Sequence, residues 1–367
     1  MKVLILCPDW FPNVSGFTIS CYQFAKELAK RANEVTIVVP KTKELKKKNL
    51  SIIQVPVITR ILGRTPFVWG LYNLIRNRLK DVDVILLYSY MFDMNVRVAF
   101  YKWIGLIKNP VVLMYRGSLE PEIKKSLSFP LRVAKTVYDN TLAWFLFKHV
   151  DLIISNSGPT IELIEKKYGV NKKRIKYIKN ALYVEKFKVR EKLNKRVVFV
   201  GRLVENKGVN LFKDILGAIP SDWEFLVVGD GPLMGFVEGL SLKFNNLKLI
   251  GRVDENKVHE YLSNSDVLVL PSFGEGSPRV VLEASASGLP SVAFDVGDVS
   301  NIIPLNTGFV IENFNVDKFC SKLKFLTSHP EKITQFGKKA RSFAEKELDW
   351  SVVYEKMMLE LRGLVKA

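Results

Sequence analysis

Short apolar runs alternate with helix-length stretches along nearly the whole chain, and they do so twice. In the first half the runs are KVLIL, EVTIVVP, VDVILLY, PVVLMYR and DLIISNS. In the second they are KRVVFVGRL, WEFLVVGDGP, NLKLIGRV, DVLVLPS, LPSVAFDV and TGFVIE. Runs of this kind belong in a parallel sheet covered on both faces, with helices as the connections. TISCYQFAKELAKRA, ENKVHEYLSNS and RVVLEASASG read as such helices. The pattern predicts two open parallel α/β domains in tandem. The polar stretch YVEKFKVREKLNK, residues 183–195, lacks core periodicity and marks the joint. The tail from Asp317 to about Leu364 reads as entirely helical.

A chain of 367 residues with 48% hydrophobic composition has enough apolar material for two such domains. Cys7, Cys21 and Cys320 form neither a metal spacing nor a disulfide framework, so a reducing cytosol is expected. The opening MKVLILCPDWFP is too short before Pro8 for a signal peptide and reads as a buried strand. No run of about 18 uncharged apolar residues occurs, so no spanning helix is expected.

The net charge of +18 is unevenly divided. Residues 1–190 hold 33 Lys and Arg against 14 Asp and Glu, an excess of 19, whereas residues 191–367 hold 22 against 23. The first half should favour a polyanion such as an acidic membrane surface or a lipid phosphate, the plain alternative being a solvated Lys-rich surface. No nucleic-acid recognition motif accompanies the charge, so nucleic acid is not an expected partner. RILGRTPFVWGLYNLIRNRLK, residues 60–80, interleaves aromatic and basic side chains. From Pro66 onward it is predicted to form a helix, either lying in a membrane interface or packed on the sheet.

The candidate site residues lie at strand ends in the second half. In FGEGSPRVVLEASASGLP, the strand DVLVLPS gives way to a turn carrying Glu275. Pro278 suits the first helical position with Ser277 as its cap, and Gly288 suits the end. Glu283 falls one turn beyond Arg279, on the same helix face. Two carboxylates so placed can flank one elongated ligand and accept paired hydroxyls. In FVGRLVENKGV, Arg202 and Lys207 follow a strand on a turn closed by Gly208, a suitable clamp for a diphosphate. One charge pair at about 4 Å is worth about 4 kcal/mol at an effective dielectric near 20. Gly16, in NVSGFTIS, stands between the first strand and the first helix, where backbone can approach a ligand closely. Each piece alone is commonplace.

Together they resemble glycosyltransferase family 4, the retaining nucleotide-sugar transferases of GT-B fold. The likeness runs through CPDWFPNVSG, VGRLVENKG, VVGDGP, GRVDENKVHEYLSNSDVLVLPS, EGSPRVVLEASASGLPSVAFDVG and TGFVIE to a helical tail with Trp350. It implies two Rossmann-like domains facing across a cleft. The N-terminal one, residues 1–185, would hold the acceptor, and the C-terminal one, residues 186–345, the donor. Residues 346–367 would form a helix returning to the first domain. It further implies that Arg202 and Lys207 hold the donor diphosphate, that Glu283 binds the ribose hydroxyls and that Glu275 binds the donor sugar. Backbone at Gly276, Ser277, Pro278 and Arg279 would line the sugar and phosphates, backbone at Arg252 and Val253 would face the base, and Gly16 would approach the phosphates. Glu275, Arg202 and Lys207 are the catalytic candidates. The implied reaction is hexosyl transfer from a UDP- or GDP-sugar to a lipid-linked or saccharide acceptor, with no metal and no further cofactor, in the cytoplasm or peripherally on the membrane's cytoplasmic face.

The chain also departs from the family pattern. Ser15-Gly16 replaces a pair of glycines, Asn180-Ala181 an Asn-Gly turn, and Arg116-Gly117 the usual His-Gly. Arginine is not a base at working pH, but Arg116 can contact a phosphate, an acidic donor sugar or the acceptor. Asp81-Val82-Asp83 matches the Asp-x-Asp of metal-dependent transferases but precedes a strand of the other domain type, and Gly229-Asp230-Gly231 reads as a tight turn rather than a dinucleotide site. Two alternatives share these residues: a nucleotide-sugar epimerase of the same fold and a non-catalytic donor-binding scaffold subunit.

Overall fold

The computed structural model describes residues 1–10, 16–31, 33–42, 50–61, 65–91, 93–116 and 129–366. They form two compact units, Met1–Lys179 with Tyr354–Ala367, and Asn180–Val353. The first is built on β1 (Lys2–Leu6), β2 (Glu34–Pro40), β3 (Ser51–Val55), β6 (Val84–Tyr88), β7 (Val111–Tyr115), β8 (Leu152–Ser155) and β9 (Ile175–Tyr177), in the order β3-β2-β1-β6-β7-β8-β9. A small antiparallel hairpin, β4 (Val57–Ile61) and β5 (Thr65–Val68), stands apart from this sheet. The second unit contains β10 (Arg196–Val200), β11 (Glu224–Val228), β12 (Leu247–Gly251), β13 (Val267–Leu270), β14 (Ser291–Phe294) and β15 (Gly308–Ile311), in the order β12-β11-β10-β13-β14-β15. Every pairing in both large sheets is parallel.

The apolar runs explain the layout. β6 and β7 are buried at every position, as are β13 and β14, so each must lie inside a sheet covered on both faces. Burying one such side chain is worth about 1.5–3 kcal/mol. In each unit the first strand becomes an interior strand, and the chain reverses its direction of travel across the sheet beside it. β10 thus lies between β11 and β13. Ligands of open α/β sheets bind beyond the carboxyl ends of the strands at such a reversal.

Two expectations need correction. No helix begins at Pro66: Thr65–Val68 is the strand β5, and the helix is only Leu71–Arg78. Gly70 intervenes in the left-handed conformation (φ 71°), which stops a helix from propagating through it. Leu71 and Ile75 are buried, so this short helix is an ordinary packed one. The tail is helical as expected, in the segments Val316–Ser328, Pro330–Phe343 with the π turn Ala344–Leu348, and Trp350–Lys366, with breaks at His329 before Pro330 and at Asp349. The last of these packs on the first unit, where Arg31 reaches Glu355 at 3.3 Å, Asn33 donates to the Tyr354 hydroxyl at 3.0 Å, and Lys176 pairs with Glu360 at 3.2 Å. The second correction concerns the start of the Glu283 helix and is given with the site.

Candidate active site

The site is assembled from turns that follow β10, β13 and β14. After β10 the chain makes a short 3-10 turn, Glu205–Lys207, and closes it at Gly208 with φ 70°. A Cβ on Gly208 would lie 2.0 Å from the Pro271 carbonyl oxygen, so only glycine lets this turn rest on the end of β13. Two hydrogen bonds lock the turns together: the Phe273 amide donates to the Asn206 carbonyl at 2.9 Å, and Asn206 Nδ2 donates to the Gly274 carbonyl at 3.1 Å. This contact delivers Lys207 Nζ to Glu275 Oε1 at 2.5 Å. A third turn supports Glu275 from beneath. Gly297 (φ 56°) follows β14, and a Cβ there would lie 2.2 Å from the Glu275 carbonyl oxygen, while the Asp298 amide donates to the Gly276 carbonyl at 2.7 Å. Gly229 and Gly231 pack in the same way under Gly201 and Leu203, flanking Arg202, so the Gly-Asp-Gly segment is a close-packing turn.

The helix that carries Glu283 is Arg279–Ala286. Its cap position is Pro278, not Ser277, and no side chain caps it. The ring fixes Pro278 φ near −67°, but ψ is free, and at 113° the residue is extended and stays outside the helix. The Ser277 hydroxyl is buried without a hydrogen-bond partner. At the other end Gly288 (φ 69°) closes the helix, with its amide donating to the Ser285 carbonyl at 3.0 Å and the Leu289 amide to the Ala284 carbonyl at 2.9 Å. Six of the eight residues are buried, Glu283 among them.

A buried carboxylate needs a partner, and Arg279 provides it: its Nε donates to Glu283 Oε1 at 2.7 Å. The far side of the guanidinium donates to Glu255, on the neighbouring helix Glu255–Ser263, so Arg279 is braced between two acids. Burial pushes the Glu283 carboxyl above the usual carboxylate range, Arg279 pulls it back, and Glu255 adds a smaller upward push. His259, one turn beyond Glu255, is depressed chiefly by burial, and its Nε2 is buried without a partner. One ligand atom each from Glu255, His259 and Glu283 lie within 4.8 Å of one another. They could hold a divalent ion only if Arg279 withdrew, because its guanidinium already supplies the positive charge there. Neither Glu255 nor His259 is picked out by the sequence reading. Their i, i+4 spacing puts them on one helix face, but only packing aims that face at Glu283.

The other candidates are more dispersed. Arg202 is exposed on its turn. Arg252 is exposed and Val253 half-buried, just after Gly251 (φ 78°) ends β12. Gly16 is the first residue of the helix Gly16–Lys30, and Arg116 follows β7, both in the first unit. Arg116 donates to the Ile178 carbonyl at 3.0 Å, and burial lowers its pKa. Ser15, Gly117 and residues 11–14 of the first loop lie outside the described residues. Asp83 accepts the Lys2 amide at 2.7 Å, a structural use of one carboxylate of the Asp-x-Asp pair.

The sequence and the fold can be compared with known proteins. A model described as Glycosyltransferase Family 4 matches residues 14–186, and one described as Glycosyl transferases group 1 matches residues 194–329. An uncharacterized glycosyltransferase of Methanocaldococcus jannaschii is 26% identical, with 94% of each chain covered. The sulfoquinovosyl transferase of Arabidopsis thaliana is 32% identical over 45% of this chain, a match that spans only 32% of that protein. Among solved structures, Anabaena HepE in complex with UDP superposes with a TM-score of 0.80 at 18% identity, covering 99% of this chain and 100% of that one. The chain is an enzyme of the transferase class, and with two consecutive family models covering most of its length on a GT-B fold, it belongs to the family 4 glycosyltransferases.

Proposed function

We propose that this enzyme is a retaining, metal-independent transferase that moves a sugar from a UDP- or GDP-sugar to a hydroxyl of a lipid-linked or saccharide acceptor. The observation that carries the reading is the contact of Lys207 with Glu275 at 2.5 Å, made between turns that glycines hold in van der Waals register. An ammonium and a carboxylate fixed in this way neutralise one another in the free enzyme. A sugar diphosphate would divide them, its phosphate oxygens taking Lys207 and its sugar hydroxyls taking Glu275. Glu283, one oxygen held by Arg279, would accept from the ribose hydroxyls. As the bond between the anomeric carbon and the diphosphate oxygen breaks, negative charge grows on the leaving group. Lys207, Arg202 and the uncapped start of the Arg279–Ala286 helix supply fixed positive charge and dipoles for it. The acceptor hydroxyl attacks from the side the diphosphate leaves, and its proton passes to the departing phosphate, which balances the step without a protein nucleophile.

The first unit carries the acceptor in this reading, and its basic excess favours an acceptor or surface bearing phosphate, on the cytoplasmic face of a membrane. Among the described residues no helix is long and apolar enough to cross one. The experiment is a panel of UDP- and GDP-sugars, with phosphorylated-lipid and saccharide acceptors, scored by mass and by the anomeric configuration of the product, with and without EDTA. Transfer with retention that survives chelation is expected. Inversion, or loss on chelation with recovery on adding magnesium, overturns the corresponding part of the mechanism.

A further inference from the structure

A helix on the surface of a protein ordinarily turns its apolar side inward and its polar side to water. The helix Phe129–Tyr138 keeps Tyr138 against the core but breaks this rule at two places, one on each side. Its inward side carries Lys135, which is buried together with Asp139, the first residue of the π turn Asp139–Ala143 that follows. Lys135 Nζ donates to both Asp139 oxygens, at 3.0 and 2.9 Å, and to the Tyr90 hydroxyl at 2.7 Å, so the buried ammonium is paired within the core. The outward side carries Phe129, Val133 and Val137, four residues apart, with Phe129 75% exposed. Trp144 continues the exposed apolar surface beyond the π turn. At the end of the helix Asp93–Trp103, Phe100, Trp103 and Ile104 are exposed as well. The helix that Trp144 begins packs on Asp93–Trp103, where Trp103 meets Phe145 edge-on at 5.8 Å.

We propose that this face is the surface by which the enzyme docks on an anionic phospholipid bilayer. An exposed apolar stripe is accounted for if the medium it meets is apolar on contact, and exposed Trp and Phe are the side chains suited to a membrane interface. The charge of the surrounding chain selects the occupant. Residues 1–190 carry 33 basic against 14 acidic side chains, which attracts acidic headgroups and repels a second copy of the same surface. The helix Leu71–Arg78 does not supply this face, since Leu71 and Ile75 are packed inward, although Trp69 before it is exposed. The proposal rests on the transferase reading only for its purpose, a lipid-linked acceptor, and not for the docking itself.

The test uses the full chain and a Phe129→Ser/Val133→Ser/Val137→Ser variant, with Trp103→Ser as a second variant on the other helix. Phe129, Val133 and Val137 are exposed, so the triple variant should melt as the parent does, whereas Trp103→Ser also gives up its ring contact with Phe145 and is assayed well below its own melting temperature. Each is co-sedimented with vesicles of phosphatidylcholine alone and of phosphatidylcholine with phosphatidylglycerol, at low and high salt. The parent should prefer the acidic vesicles and release them as salt rises. The triple variant should partition about tenfold less or weaker still, and Trp103→Ser should lose part of the binding. Parent protein that ignores both vesicles, or a triple variant that binds as the parent does, overturns the proposal. So does sedimentation velocity showing a parent dimer that the triple variant dissolves, which would assign the face to a second copy. Donor hydrolysis in lipid-free buffer separates this proposal from the transferase reading. Variants that lose vesicles but keep hydrolysis support docking with the donor site intact, whereas a parent that docks but turns over no donor removes the proposed function alone.

Discussion

Two helices of similar length treat their surroundings in opposite ways. Arg279–Ala286 is buried along most of its length, and its one buried charge, Glu283, is held at a strand end where a small ligand can reach it. Phe129–Tyr138 buries Lys135, paired with Asp139 of the turn that follows, and leaves Phe129, Val133 and Val137 outside. In the first helix the interior is apolar and polarity is focused into a site. In the second an ion pair is buried within the core and apolarity is spread over an exposed face. A bounded ligand is recognised by a few fixed polar groups, whereas an extended surface is met by area and charge.

The contrast is broken most directly at the polar site. Lys207→Ala and Glu275→Gln should each lower kcat/KM by roughly 10²–10³, the usual loss when one fixed electrostatic partner of a transition state is removed. Their melting should remain close to that of the parent. Near-normal turnover in either correctly folded variant would show that this contact is structural.

A smaller effect tests whether the site depends on close packing. Gly297→Ala places a Cβ 2.2 Å from the Glu275 carbonyl in a left-handed backbone, and should cost about 1–3 kcal/mol of stability along with much of the activity. Gly239, inside the helix Met234–Ser241, has nothing within 4 Å of the same position. Gly239→Ala should therefore stabilise by about 0.5–1 kcal/mol and leave turnover alone. Urea melts of the two proteins measure both signs, and equal responses would remove the packing argument.

The smallest expected effect concerns Glu283. Burial raises its carboxyl pKa above the usual carboxylate range, so the folded chain holds the proton more tightly than the unfolded chain does. Ionised Glu283 therefore costs stability above the unfolded pKa, and the cost disappears in acid, where both states are protonated. Glu283→Gln should melt higher than the parent at neutral pH while losing donor affinity, with the difference closing as pH falls toward about 4. A difference that is independent of pH would mean that Arg279 already compensates the burial.

Much of the architecture is visible in the residues because burial on both faces leaves a local mark. β6, β7, β13 and β14 are each a continuous apolar run, so they can be found without knowing their neighbours. β3 and β9 are not found this way, since as edge strands they are only partly buried and carry Gln54, Lys176 and Tyr177. The segment after Pro66 misleads for a related reason. Its aromatic and basic composition suits a membrane helix, but the hairpin partner at Val57–Ile61, which is remote from any helical periodicity, claims Thr65–Val68 first.

The same division runs through the site. The sequence by itself determined that Glu275 stands on a turn, that Glu283 lies one turn beyond Arg279, and that Gly288 ends their helix, because turns, i, i+4 spacing and caps are settled within a few residues. Only the tertiary structure decided that Lys207 meets Glu275 from 68 positions away, that Gly297 supports Glu275 from beneath, and that Glu255 braces Arg279 from another helix. It also decided which side of Phe129–Tyr138 faces out, since Lys135 is an ordinary surface lysine until Asp139 and Tyr90 close around it. The physical reason is the same throughout: backbone preference acts between neighbours, whereas excluded volume and the pairing of buried charge act between residues that only folding brings together.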